Sequence, residues 1–260
     1  MQTIEVLADF GKRFWPWILV FTFSALVVWV YLSGWRVGLD PLVYRNGSVA
    51  VSNLPLGSTI YVDQTRRHTG VSGTADTHLP DGEHTVIIDS PGFYPWNEMV
   101  SVKKNERTVL KPILVRVTPD MREVPLDKSM QLRQIGSPIP TFDKPMNLPD
   151  NCISVYESFG RIIAAPMEGC EAPAFLCTSG VCEPTVVFTP KDRLRAITNF
   201  HGRSDVIVVA SGTTVTVVEL DPHTPQFLAP LYQGDAPRVI NLSPNSLTVI
   251  DRSKTFLITL

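Results

Sequence analysis

The sequence predicts a mainly β protein carried on one N-terminal transmembrane helix, with a β-sandwich followed by a propeller-like antiparallel β region. Three observations lead there. Residues 14–32 hold no charged side chain. Residues 46–115 and 151–260 contain runs in which apolar and polar side chains alternate, the period of a strand with one buried face. The 22 prolines suit short strands joined by turns and are too many for a helical bundle.

At about 1.5 Å per residue, a helix from Phe14 to Leu32 crosses the ~30 Å hydrocarbon core of a bilayer. Trp15 and Trp17 mark one end of the run, and Trp29, Tyr31 and Trp35 mark the other. Such rings collect at headgroup level because they join an apolar body to a polar edge. Pro16 is expected in the first turn, where a missing N–H costs least. A cleaved signal peptide has a shorter apolar core, usually ~7–15 residues, and ends in a small-x-small site. Here the run passes instead into Leu32-Ser33-Gly34-Trp35-Arg36. A retained signal anchor over residues 14–34 is therefore expected, with membrane lipid as its partner. No second span follows. Residues 1–13 form a short cytoplasmic tail in which Ile4, Leu7, Ala8 and Phe10 are loosely amphipathic.

Lys12 and Arg13 before the span nearly balance Arg36 and Arg45 after it, so flanking charge does not set the orientation. The four cysteines do, since an even set in a β-rich region favours an oxidising exterior. The region after Gly34 is expected outside the cytoplasm.

Between Asn46 and Val115, strand patterns occur at Val49–Val51, Ile60–Val62, His84–Ile88 and Val100–Val102. Leu54-Pro55-Leu56-Gly57, Pro80-Asp81-Gly82 and Ser90-Pro91-Gly92 separate them with turn chemistry. Two small sheets packed face to face would bury the apolar sides. The order Gly47-Ser48-Val49-Ala50-Val51, Pro55-Leu56-Gly57-Ser58-Thr59-Ile60-Tyr61-Val62-Asp63, Leu79-Pro80-Asp81-Gly82-Glu83-His84-Thr85-Val86 and Pro91-Gly92-Phe93-Tyr94-Pro95-Trp96 resembles a PEGA domain. The Pro-x-Gly-Ala signature of that family stands here as Pro55-Leu56-Gly57-Ser58. Its usual Asp-Gly turn is replaced by Asp63-Gln64-Thr65, so that hairpin is expected to differ locally. The resemblance implies a small β-sandwich of envelope proteins, often beside a membrane anchor, and carries no catalytic residues.

Residues 116–150 hold six prolines and no sustained periodicity, and are expected to form an extended connection. Beyond them, hairpin pairs are expected at Cys152–Tyr156 with Arg161–Ala165, Asp205–Ala210 with Thr213–Leu220, and Ser246–Ile250 with Thr255–Leu260. The last two start about 41 residues apart, near the ~40–50-residue blade period of propellers. A closed propeller needs at least ~4 blades, and this region supplies two or three. Either its sheets stack openly on the sandwich or another chain closes the ring.

Candidate chemistry is sparse. Cys152, Cys170, Cys177 and Cys182 are candidate disulfide partners, in preference to buried thiols or a metal site, because the spacing from Cys177 to Cys182 is not that of a zinc knuckle. Cys177-Thr178-Ser179-Gly180-Val181-Cys182 reads as a bridged hairpin tip, which would leave Cys152 for Cys170, although all three connectivities remain open. His84 falls at an inward strand position, where a hydrogen-bonded packing role outweighs catalysis. His68, His78, His201 and His223 flank loops or turns. No nucleophile elbow, phosphate loop or metal-binding helix occurs, so no cofactor and no enzymatic activity are expected. A net charge of −2 gives no basic surface for nucleic acid. Arg66 and Arg67, with Tyr94 and Trp96, form the candidate contact surface, with packing the plainer role for Trp96.

The expected function is a non-catalytic, membrane-anchored binding or structural module of the cell envelope, with a protein or envelope polymer as partner. The alternative is a subunit of an envelope enzyme or sensor complex whose site is shared.

Overall fold

A computed structural model of the chain describes residues 2–37, 43–134, 139–149, 152–200, 202–223, 225–243 and 246–259. The side chains of residues 2–14 lie outside that description, as does His201; the amphipathic pattern expected of Ile4, Leu7, Ala8 and Phe10 falls there. The chain forms two compact units. One comprises Met1–Asn53, Gly73–His84 and Val100–Lys111, and the other Leu54–Ser72, Thr85–Met99 and Pro112–Leu260.

Helix α1 (Gln2–Leu32) opens the first unit. Its segment Trp15–Leu32 has a mean hydropathy of 1.8, and none of it is buried. A segment of this length and hydropathy is long and apolar enough to cross a membrane. Pro16 lies inside the helix, not in its first turn, because helical structure already begins at Gln2. The helix ends at Gly34, whose φ of +85° is the left-handed conformation that glycine adopts without a Cβ clash. Ser33 donates both its N–H and its hydroxyl to the Trp29 carbonyl, at 2.9 and 2.8 Å. The Arg36 guanidinium donates to the Tyr31 carbonyl at 2.8 Å and stacks over the Tyr31 ring at 3.9 Å. A cation at the last carbonyls of a helix meets the negative end of its dipole. Strands β1 (Trp35–Val37) and β2 (Val43–Arg45) then pair antiparallel.

Five strands follow: β3 (Gly47–Val62), β4 (Thr65–Leu79), β5 (Gly82–Asp89), β6 (Trp96–Val102) and β7 (Arg107–Leu110). They belong to one sheet in the order β4-β3-β5-β6, with β7 added alongside β3. Two separate sheets were the expectation. The reason for the difference is the long strand β3, which changes partner along its length. In the first unit its Ser48–Val51 segment runs parallel to β7; in the second its Thr59–Val62 segment runs antiparallel to Val86–Asp89 of β5. Between these segments Asn53 and Gly57 take positive φ. The β3–β4 turn places Asp63 and Gln64 at φ of 49° and 63°, the paired left-handed geometry of a type I′ hairpin. Asp63 and Gln64 thus meet the backbone demand usually met by Asp-Gly. Ile60, Val62, Val86 and Ile88 are almost fully buried, and the Ser58 and Ser90 hydroxyls bond each other at 2.8 Å.

The rest of the second unit contains three four-stranded antiparallel sheets. The first runs β14 (Thr185–Phe188), β11 (Arg161–Pro166), β10 (Ile153–Ser158), β9 (Met146–Asn147). Strands β12 (Cys177–Thr178) and β13 (Val181–Cys182), between β11 and β14 in the chain, form a separate two-stranded hairpin. The second runs β15 (Leu194–Asn199), β16 (Val206–Ser211), β17 (Thr214–Glu219), β18 (Leu228–Gln233). The third runs β19 (Pro237–Ser243), β20 (Ser246–Asp251), β21 (Lys254–Thr259), β8 (Asp120–Glu123). Among the described residues, none of them closes into a barrel or a propeller. Residues Val206–Ala210 of β16 are wholly buried, as expected of a strand covered on both faces and reading as an unbroken apolar run.

The Pro-rich stretch is more ordered than its lack of periodicity suggested. Strand β8 pairs with β21, and helix α2 (Leu126–Gln134) follows. The α2 residue Ser129 shares a buried hydrogen bond of 2.7 Å with Thr255 of β21. Asp251, at the end of β20, ties the second sheet to the third. Its carboxylate accepts from the Tyr232 hydroxyl at 3.0 Å and from the Asp235 and Ala236 N–H groups at 2.9 and 2.8 Å. Burial pulls its pKa upward, but those backbone and hydroxyl donors, with Arg252, hold it below the usual carboxylate value.

Candidate functional site

The cysteines form two disulfides, Cys152–Cys170 and Cys177–Cys182, with Cα atoms 5.2 and 4.0 Å apart. Cys177 and Cys182 face each other across β12 and β13, and the turn between them holds Ser179 and Gly180 at positive φ. Two residues with positive φ are what a tight hairpin requires.

The candidate contact residues differ in exposure. Trp96 is buried, 3% exposed, which corrects its placement on a contact face: it begins β6, where a bulky apolar ring is packed inward. Tyr94 is half-buried, and its N–H donates to the Val115 carbonyl at 2.8 Å. Arg66 and Arg67 are exposed, with Arg66 lying over the Tyr61 ring at 5.7 Å. Trp15, Trp17, Trp29, Tyr31 and Trp35 are all exposed along and just beyond α1. His84 is buried with its Nε2 3.0 Å from the Pro80 carbonyl, a packed and hydrogen-bonded ring. Among the described residues no group of three or more His, Cys, Asp or Glu side chains is placed to hold a metal ion.

Two concave features in the second unit were not visible in the sequence. A groove of about 460 Å³ lies along edge strands β9, β15 and β19, with Ile139, Met146, Ile197, Val239 and Ile240 as its apolar walls. Thr141, Thr198, Asn241 and Lys144 supply its polar groups. Among the described residues, Lys144 is the one charged residue in that lining. The Asn241 amide donates to the Asn199 side-chain oxygen at 3.0 Å, joining β19 to β15.

The second feature is a small cleft of about 40 Å³ lined by Glu98, Met99, Glu219, Asp221, His223 and Pro225. Glu98 comes from β6 and Glu219 from the last position of β17. Burial, then the neighbouring Asp221 and Asp205 charges, push the Glu98 pKa up to about 7. Burial also drives Glu219 up to about 8, against a hydrogen bond from the Phe227 N–H and with the help of Glu98, Asp205 and Asp221. Burial disfavours the charged form, so both carboxyls hold protons far above the ordinary carboxylate range. Sequence reasoning missed this pair because its members lie about 120 residues apart and neither sits in a motif.

A mainly β chain with an exposed apolar helix at its N-terminus and two disulfides in its C-terminal half defines the class. Residues 46–117 match the PEGA domain family, the segment comprising β3 to β7. No curated protein matches the chain.

Proposed function

We propose that the protein is a single-pass membrane protein whose C-terminal region stands outside the cytoplasm as a non-catalytic binding or structural module of the cell envelope. One observation carries this reading: an apolar helix exposed on every side runs through a capped terminus into the β structure of a PEGA-matching segment. The disulfides support the exterior side, since such bonds persist in oxidising compartments. Membrane lipid covers α1. The three C-terminal sheets are propeller-like in our reading, because each is four-stranded and antiparallel and β8, which precedes all three in the chain, completes the last one. Their edge strands line the groove, which offers a protein or envelope-polymer partner apolar walls beside one lysine.

Alkaline carbonate washing of isolated membranes tests the anchoring. The protein is expected to remain in the membrane pellet and to require detergent for release. Recovery in the wash would contradict it.

A further inference from the structure

We propose that the cleft between β6 and the β17–β18 connection is a proton-dependent latch, closed while Glu98 and Glu219 are neutral and opened when they ionise. The geometry sets up the conflict. Glu219 is 7% exposed, and Glu98 is half-buried and lines the same cleft. Glu219 is fixed by two bonds to the connection: its N–H donates to the Phe227 carbonyl at 3.0 Å, and its side chain accepts from the Phe227 N–H at 3.0 Å. The Gln226 amide adds a bond to the Glu219 carbonyl at 2.8 Å. The carboxyl therefore cannot leave without loosening that connection.

Among the described residues, no cation is among the charged groups that act on the pair. Asp205 precedes β16 and takes a two-pronged ion pair from Arg203, at 2.9 and 2.6 Å. Asp221 holds the His223 ring at 2.6 Å. Among the described residues, the charged groups acting on Glu219 are thus Glu98, Asp205 and Asp221, all acidic. Two carboxylates in one cleft cannot both ionise cheaply, because like charges at low dielectric repel and burial leaves them incompletely solvated. At lower pH the protonated carboxyls let β6 and the connection close over the cleft; at higher pH they repel.

Amide hydrogen exchange on the full chain in lipid nanodiscs reads the latch directly at Phe227, with the β16 core amide of Val208 as a control. After correction for intrinsic exchange, the Phe227 protection factor is expected to fall as pH rises from about 5 to 8, by up to tenfold per pH unit for each proton released on opening. Val208 should keep its protection. Glu219→Gln and Glu98→Gln should each flatten the Phe227 slope, and the less buried Glu98 site keeps the test usable if the first variant folds poorly. Three results would overturn the latch: a pH-independent Phe227 in the wild type, an unchanged slope in both variants, or a parallel loss at Val208, which would mean global unfolding.

Discussion

Asp251 gives a sharp test of how the C-terminal sheets are held together. Its carboxylate takes three donors from two different segments, all within 3.0 Å, and the residue is 8% exposed. Replacing it with alanine strands the Tyr232 hydroxyl and the Asp235 and Ala236 N–H groups. Each orphaned buried donor costs about 1–3 kcal/mol. Partial access to water reduces the sum, so Asp251→Ala is expected to cost roughly 3–4 kcal/mol. At about 2–4 °C per kcal/mol for a chain of this size, the melting temperature should fall by roughly 6–16 °C, read by tryptophan fluorescence in nanodiscs. Asp251→Asn keeps one acceptor oxygen and should lose about half as much. The pH sign follows from the direction of the shift. A carboxylate whose folded pKa lies below its unfolded value contributes stability above the unfolded value of 3.8, and that stability is lost as pH falls through the folded value. The gap between wild type and Asp251→Asn should therefore narrow below about pH 4. Both variants melting within 1 °C of wild type at neutral pH would refute the reasoning.

Two further outcomes are expected. Alkylation of freshly isolated, unreduced protein should leave all four cysteines unmodified by mass spectrometry, and proteolytic fragments should link Cys152 to Cys170 and Cys177 to Cys182; four modified thiols would remove the disulfides and the main support for the exterior side. A soluble fragment of residues 35–260 should give a far-UV circular dichroism spectrum dominated by strand, because α2 is the one α-helix left among its described residues; a mainly helical spectrum would contradict the fold.

Local features were legible in the sequence. The hairpins β10–β11, β16–β17 and β20–β21 follow from alternation and turn residues within a dozen positions, and Cys177–Cys182 follows from a hairpin tip of its own. His84 was placed correctly because strand parity decides which way a ring points. What escaped was non-local. The four residues of β8 are all exposed and carry no alternating pattern; β8 is a strand because β21 offers it an edge more than 130 residues later. The partner change in β3 depends on where β5 and β7 fall in space. Glu98 and Glu219 look like ordinary surface acids until folding brings two strands together.

The most direct test of the central claim is protease shaving of intact cells whose outer barrier has been removed, followed by detection of both termini. If the chain is anchored by α1 with its β structure outside the cytoplasm, added protease should remove the epitope at the C-terminus while an N-terminal tag survives with a short membrane-embedded fragment. A fully protected C-terminus, digested only after the membrane is permeabilised, would place the β structure on the cytoplasmic side and contradict the account.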